Sequence, residues 1–214
     1  MNDFCKPRIK ICGLKDVEMA LFAARAGADA IGLVNYPPSP RHVTLDLATA
    51  IARALPPFVS AVGLFVDANA SDVHAFIERV QPSVLQFHGD ESPAWCEQFG
   101  RPWIKAVRVQ PGLDLLQYAT AYAGAQGLLL DACVSGQAGG TGERFDWSLI
   151  PATLGKPIIL SGGLSPQNVA AAVREVRPWA VDVSSGVESA RGIKDASRIT
   201  GFITEVQHAF DTIS

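Results

Sequence analysis

Two segments late in the chain carry residues suited to holding an anion: Leu160-Ser161-Gly162-Gly163-Leu164-Ser165-Pro166 and Val181-Asp182-Val183-Ser184-Ser185-Gly186. Each begins as an apolar run and stops at small residues. Glycines let backbone N–H groups approach a phosphate closely, serines add hydroxyl donors, and a following helix start offers unpaired donors with a favourable dipole. Ser165 reads as the N-cap and Pro166 as the first residue of that helix. Either segment alone marks only a tight turn. Two such strand ends, about twenty residues apart, fit the phosphate cup that (β/α)8 barrels build after strands seven and eight.

The rest of the chain supplies the elements such a cup needs. Arg8-Ile9-Lys10-Ile11-Cys12 alternates polar and apolar residues and ends at Gly13, a first strand with Cys12 at its tip. Asp16 caps a helix whose Val17, Met19, Ala20, Phe22 and Ala23 recur at helical spacing before Gly27. Ala30 to Val34 is a second strand, and Asn35-Tyr36-Pro37-Pro38-Ser39-Pro40-Arg41 is too proline-rich to be anything but loop. The pattern repeats through strands at Val59 to Val66, Val84 to Phe87, Trp103 to Val109, Gly127 to Asp131, Pro157 to Leu160 and Ala180 to Val183. Between them lie helices near Leu45 to Leu55, Ser71 to Val80, after Glu91, Leu113 to Tyr122, from Pro166, and Asp195 to Phe210. Eight strands alternating with helical segments, seven placed above and eight expected, predict a parallel α/β sheet closed into a single-domain (β/α)8 TIM barrel over residues 1–214. An open doubly wound sheet would carry Gly-x-Gly-x-x-Gly after its first strand, where Cys12-Gly13-Leu14-Lys15 stands instead.

Composition sets the outer bounds. The 214 residues suffice for one core, and 48% apolar with 18% charged residues suits a globular α/β enzyme. A net charge of −3 gives no reason to expect nucleic acid or acidic membrane as a partner, so any anion site must be local. No stretch has the length of a signal peptide core or a membrane span, which predicts a cytoplasmic protein; the chain is expected as a monomer or a homodimer, between which the sequence does not choose. The four cysteines, Cys5, Cys12, Cys96 and Cys133, lack CxxC spacing and argue against zinc or a disulfide framework.

Barrel enzymes draw their reactive groups from the C-terminal tips of the strands. Those tips are Cys12, Asn35, Asp67, His88, Arg108, Asp131, Ser161 and Asp182: a thiol, several carboxylates and an imidazole beside the cup. With one histidine at a tip, no metal constellation is visible and His88 reads as a hydrogen-bonding group. Residues 132–144, with four glycines, have the length and composition of a lid. Each group also has a structural alternative. Asp131 could be an N-cap, His88 a satisfied core histidine and Arg41 a surface charge, while Asp67 reads as the cap of the next helix. Asp182, set between two valines, requires a partner or a function, and Lys10 reads as a barrel-interior residue available to pair with a carboxylate.

Taken together, Lys10-Ile11-Cys12-Gly13, Tyr36-Pro37 through Ser39-Pro40-Arg41, Gln86-Phe87-His88-Gly89, Leu129-Leu130-Asp131, Gly139-Gly140-Thr141-Gly142 with Phe145-Asp146-Trp147, and the two cup segments through Glu188 resemble the phosphoribosylanthranilate isomerase family of tryptophan biosynthesis. The resemblance implies an aldose–ketose (Amadori) rearrangement of a phosphoribosylated anthranilate with no cofactor and no metal. It assigns Cys12 as general base and Asp131 as general acid, Arg41 to the anthranilate carboxylate, His88 and Asp182 to the substrate, and Gly162, Gly163, Ser184 and Ser185 to the phosphate. Asn35 stands where the family usually has an aromatic residue, which bears on the wall of the anthranilate pocket. The alternatives are a related phosphosugar aminoaldose isomerase, for which a carboxylate at position 12 would be expected, and a non-catalytic phosphate-ligand binding protein. A thiol suits the base role, because its free pKa of ~8.5 needs only a modest push toward thiolate.

Overall fold

The computed structural model describes residues 6–132 and 146–212. Eight parallel strands close into a barrel in sequence order: β1 (Arg8–Cys12), β2 (Ala30–Val34), β3 (Ser60–Phe65), β4 (Val84–Phe87), β5 (Trp103–Val109), β6 (Leu128–Ala132), β7 (Ile158–Leu160) and β8 (Ala180–Val183), with β8 pairing back onto β1. Seven α-helices are found among the described residues: α1 (Val17–Ala26), α2 (Leu45–Ala54), α3 (Ala70–Val80), α4 (Pro93–Glu97), α5 (Leu115–Ala121), α6 (Val169–Val176) and α7 (Ala196–Asp211). The eighth expected helix is absent there. Only a 3₁₀ turn, Trp147–Leu149, precedes β7 among those residues, started by Asp146, whose carboxylate accepts from Ser148 N. The segment expected as a lid lies outside the described residues beyond Ala132, as do Cys5 and Cys133.

Two further differences concern the mouth of the barrel. The α6 helix starts at Asn168, not Ser165: the Asn168 side chain accepts from Ser165 N and donates to Gly163 O, closing a turn over residues 165–168 before the helix begins. After β8 the chain makes a 3₁₀ turn (Ser185–Val187) and an unforeseen antiparallel hairpin, β9 (Glu188–Ala190) with β10 (Ile193–Lys194).

Side chains alternate in and out along each strand. Outward residues such as Ile9, Ile11, Phe65, Phe87, Leu128, Leu130, Val181 and Val183 pack under the helices. Inward residues change character along the barrel axis. Ile104, Ala106, Leu129, Ile159 and Ala180 plug the floor. Further toward the C-terminal ends stand Cys12, Gln86, Asp131, Ser161 and Asp182, so polar groups collect at one end of an otherwise apolar barrel. Lys10 is level with Asp182 in the β1/β8 register.

Candidate active site

A cavity of about 280 Å³ opens at these strand ends. Cys12, Arg41, His88, Asp131, Asp182, Gly162, Gly163, Ser184 and Ser185 all line it, so every site residue read from the sequence faces one space. Of the other strand tips, Ser161 joins them, Asn35 and Asp67 line a separate depression with Asn69 and Asp72, and Arg108 points to solvent. The apolar wall is therefore built by Val34, Tyr36, Leu64 and Val66, and the side chain at position 35 does not form it. Asp67 caps no helix either: Asn69 occupies that position, and Asp67 Oδ1 accepts from Asp90 N at 2.7 Å, tying the loop after β3 to the loop after β4.

On the β1/β8 side the charges are paired. Lys10 Nζ lies 2.8 Å from Asp182 Oδ1, both side chains almost wholly buried, and Ser161 Oγ donates to Asp182 Oδ2 at 3.2 Å. Burial alone would depress the Lys10 ammonium, but Asp182 and Cys12 beside it more than offset this and hold it above the usual lysine range. Cys12 shows the reverse balance. Its burial pushes the thiol up, and the nearby Lys10 and Lys194, opposed by Asp182, do not recover the difference. Lys10 and Lys194 thus do push toward thiolate, but burial outweighs them in the free protein. Room for the sulfur comes from Gly32, its register partner on β2: a Cβ there would stand 2.6 Å from Cys12 Sγ.

Arg41 is held by a residue that the sequence pattern left without a role. Its Nε donates to Glu188 Oε1 at 2.6 Å and its Nη2 to Glu188 Oε2 at 2.9 Å, a bidentate fork, while its stem lies over Gly13. Lys194 Nζ donates to the same carboxylate at 2.8 Å and to Ser184 O at 2.8 Å, and Gly192 N adds a fourth bond to Glu188. Burial raises the Glu188 carboxyl, but Arg41 and Lys194 outweigh it and hold it down at about 2. Glu188 and Lys194 sit on the hairpin that the strand pattern did not reveal, and the only sequence signal was a charged residue on either side of a turn.

In the cup, Ser184 Oγ donates to Cys12 O at 3.0 Å, so its hydroxyl proton is already committed. What Ser184 can still offer an anion is backbone N–H, as glycine would. Gly162 has φ +78, and a Cβ there would lie 2.3 Å from Ala132 N and 2.8 Å from Asp131 Oδ1, so the cup after β7 fits closely around the tip of β6 only with glycine.

The β4/β6 side is a chain of hydrogen bonds. Gln86 Nε2 is 3.0 Å from His88 Nδ1, and His88 Nε2 is 3.1 Å from Asp131 Oδ2, whose other oxygen accepts from Ala132 N at 2.9 Å. Gln86, wholly buried, is a second residue whose part was not evident from the sequence; it is a polar side chain at an inward position two residues before His88. Behind this wall the buried pair Lys105–Glu91, at 3.0 Å, fixes the loop after β4: Glu91 accepts from Gly89 N and Asp67 N, and Lys105 donates to Gly89 O. No group of three or more His, Cys, Asp or Glu side chains among the described residues is disposed to hold a metal ion, and no helix there is long and apolar enough to cross a membrane.

The same arrangement of strand ends has known relatives. The family model described as N-(5′-phosphoribosyl)anthranilate (PRA) isomerase matches residues 9–205. The chain is 60% identical over 200 residues to the N-(5′-phosphoribosyl)anthranilate isomerase of Thiobacillus denitrificans, covering 94% of this chain and 98% of that one. It is similar to the crystal structure of phosphoribosyl anthranilate isomerase from Thermotoga maritima, with a TM-score of 0.86, 40% identity and coverage of 94% and 99%. A structure of such an isomerase in complex with reduced 1-(o-carboxyphenylamino)-1-deoxyribulose 5-phosphate aligns with a TM-score of 0.81 and 39% identity, covering 94% of this chain and 99% of that one. Carrying the family's match from its first strand into its last helix, the chain belongs to the N-(5′-phosphoribosyl)anthranilate isomerase family.

Proposed function

We propose that the chain converts N-(5-phosphoribosyl)anthranilate into 1-(2-carboxyphenylamino)-1-deoxyribulose 5-phosphate, the isomerisation of tryptophan biosynthesis, with Asp131 as general acid and Cys12 as general base. The observation that carries this reading is one cavity lined by the Cys12 thiol and the Asp131 carboxyl and reaching Gly163 and Ser184. The family match and a relative solved with the reduced product support the substrate class.

Asp131 gives its proton to the furanose ring oxygen, and the C1–O bond breaks to leave an open-chain iminium. Cys12 then removes the proton from C2, and the resulting enolamine becomes the ketone as C1 gains a proton and the C2 hydroxyl loses one. The order of steps follows from the electrostatics. Cys12 is a buried thiol held above its ordinary range in the free protein, and the cation formed by ring opening is the charge that favours its thiolate. The acid step therefore prepares the base step. Asp182, fixed by Lys10 and Ser161, orients the sugar hydroxyls. Arg41, with Nε and Nη2 committed to Glu188, turns its remaining donors toward the anthranilate carboxylate, and His88 supports Asp131. Backbone N–H groups of Gly162, Gly163, Ser184 and Ser185 take the phosphate.

Purified protein should consume the fluorescent substrate, and Cys12→Ala or Asp131→Asn should lower kcat by ~10²–10⁴-fold with the fold retained. Turnover near that of the wild type in either variant would remove that residue from its role.

A further inference from the structure

Gln86 lies on β4 one pleat below His88, wholly buried, with its amide nitrogen 3.0 Å from His88 Nδ1. An amide nitrogen only donates, so Nδ1 must accept, and a neutral imidazole that accepts at Nδ1 carries its proton on Nε2. That nitrogen is the one 3.1 Å from Asp131 Oδ2. We infer that Gln86 is a positioning residue which selects the His88 tautomer and thereby keeps an N–H, not a lone pair, directed at the carboxyl of Asp131.

The consequence for catalysis rests on the assignment of Asp131 as the acid. When Asp131 gives up its proton it becomes a carboxylate that accepts from His88 Nε2–H and Ala132 N–H, so the charge left behind is already solvated by fixed donors. With the opposite tautomer, Nε2 would be a base facing the acid. It would compete with the sugar ring oxygen for the proton of Asp131 and then repel the carboxylate. The amide oxygen of Gln86 is buried with no donor among the described residues. The other titratable or charged side chains lining the cavity among the described residues are Cys12, Tyr36, Arg41, Asp182 and Arg191, and none of them has a hydrogen bond to His88.

The tautomer can be read directly from imidazole ¹⁵N shifts in protein labelled at its four histidines, with His88→Gln identifying the signal. The wild type should show neutral His88 with the proton on Nε2. Gln86→Leu should give a mixture of tautomers, and Gln86→Glu, which only accepts and preserves side-chain volume, should place the proton on Nδ1. Both variants should lose kcat by ~10-fold or more with KM little changed. A wild-type His88 protonated on Nδ1, or an unaltered Nε2–H signal in the variants, would overturn the inference. The shifts are measured on free protein, so they decide the role of Gln86 independently of Asp131, whose assignment is decided by the turnover of Asp131→Asn.

Discussion

Across the mouth of the barrel, the β1/β8 side carries Lys10, Asp182, Glu188, Lys194 and Arg41 in closed ion pairs, whereas the β4/β6 side carries Gln86, His88 and Asp131 in a chain without lysine or arginine. Both sides are buried, and each presents to the same cavity one of the two groups proposed to transfer protons. On the first, full charges neutralise one another and leave Cys12 as an uncharged thiol among them. On the second, dipoles are aligned toward a carboxyl that can change its proton count without disturbing a salt bridge. On the proposed assignment, separate environments let one site hold an acid and a base that do not neutralise each other.

If that contrast is right, the two walls should fail differently when cut. Removing one member of a buried ion pair strands a charge, which costs about 3–5 kcal/mol, whereas removing one member of a neutral buried hydrogen bond costs about 1–3 kcal/mol. Lys10→Met should therefore lower unfolding stability by ~3–5 kcal/mol, and adding Asp182→Leu should recover much of the loss. Gln86→Leu should cost clearly less than Lys10→Met. Denaturant unfolding of the three variants checks this, and equal losses on both walls would erase the distinction.

The charged wall should also give way in acid. Glu188 is held at about 2 against an ordinary 4.5, so the unfolded chain binds the extra proton first. Its contribution is fully present above pH about 4.5 and is lost as pH falls through about 2. A shift of that size corresponds to about 3 kcal/mol at most, reduced by solvent screening at the barrel mouth. Glu188→Gln should flatten the decline of stability between those limits by that order. It should also raise KM, since the fork that fixes Arg41 loses its charge. Urea midpoints across the acid range, with KM at neutral pH, test both parts.

How much of this could be read without coordinates follows the same division. Cys12, His88, Asp131 and Asp182 were legible because strand tips follow from alternation, and alternation is local. The barrel itself was legible from the repeating strand and helix pattern. The N-cap of α6 was misplaced because the Asn168 side chain, bonding back to Ser165 N and Gly163 O, outcompeted Ser165 for the turn, a contest that a capping rule does not weigh. Glu188 binds Arg41 across 147 residues of sequence, a pairing that no local pattern encodes. Gln86 was hidden by its own strand, since a polar residue at an inward position gains meaning only once His88 and Asp131 are known to stand beside it. The state of Cys12 needed the burial and the neighbours together: a carboxylate partner for Lys10 was legible in the sequence, but the depth of burial that outweighs both lysines was not.

A smaller effect should come from the floor beneath the thiol, and it separates packing from charge on the β1/β8 side. Gly32 has an extended backbone that alanine can adopt, so Gly32→Ala adds only a methyl group, but the sulfur of Cys12 and the Cys12 Cα lie 2.6 and 3.0 Å from where its Cβ would stand. The backbone of β1 cannot retreat, being bonded into the barrel between β2 and β8. The sulfur must therefore rotate or be displaced toward the cavity, at an overpacking cost of about 1–3 kcal/mol. No charge changes and the Lys10–Asp182 pair is untouched, so the acid-range stability profile should keep its shape while kcat falls with the misplaced thiol. A loss of kcat with an unchanged pH profile would assign the result to the position of the sulfur. Full activity in the Gly32→Ala variant would mean that the base tolerates displacement, and that the tight fit between β1 and β2 serves the barrel more than the reaction.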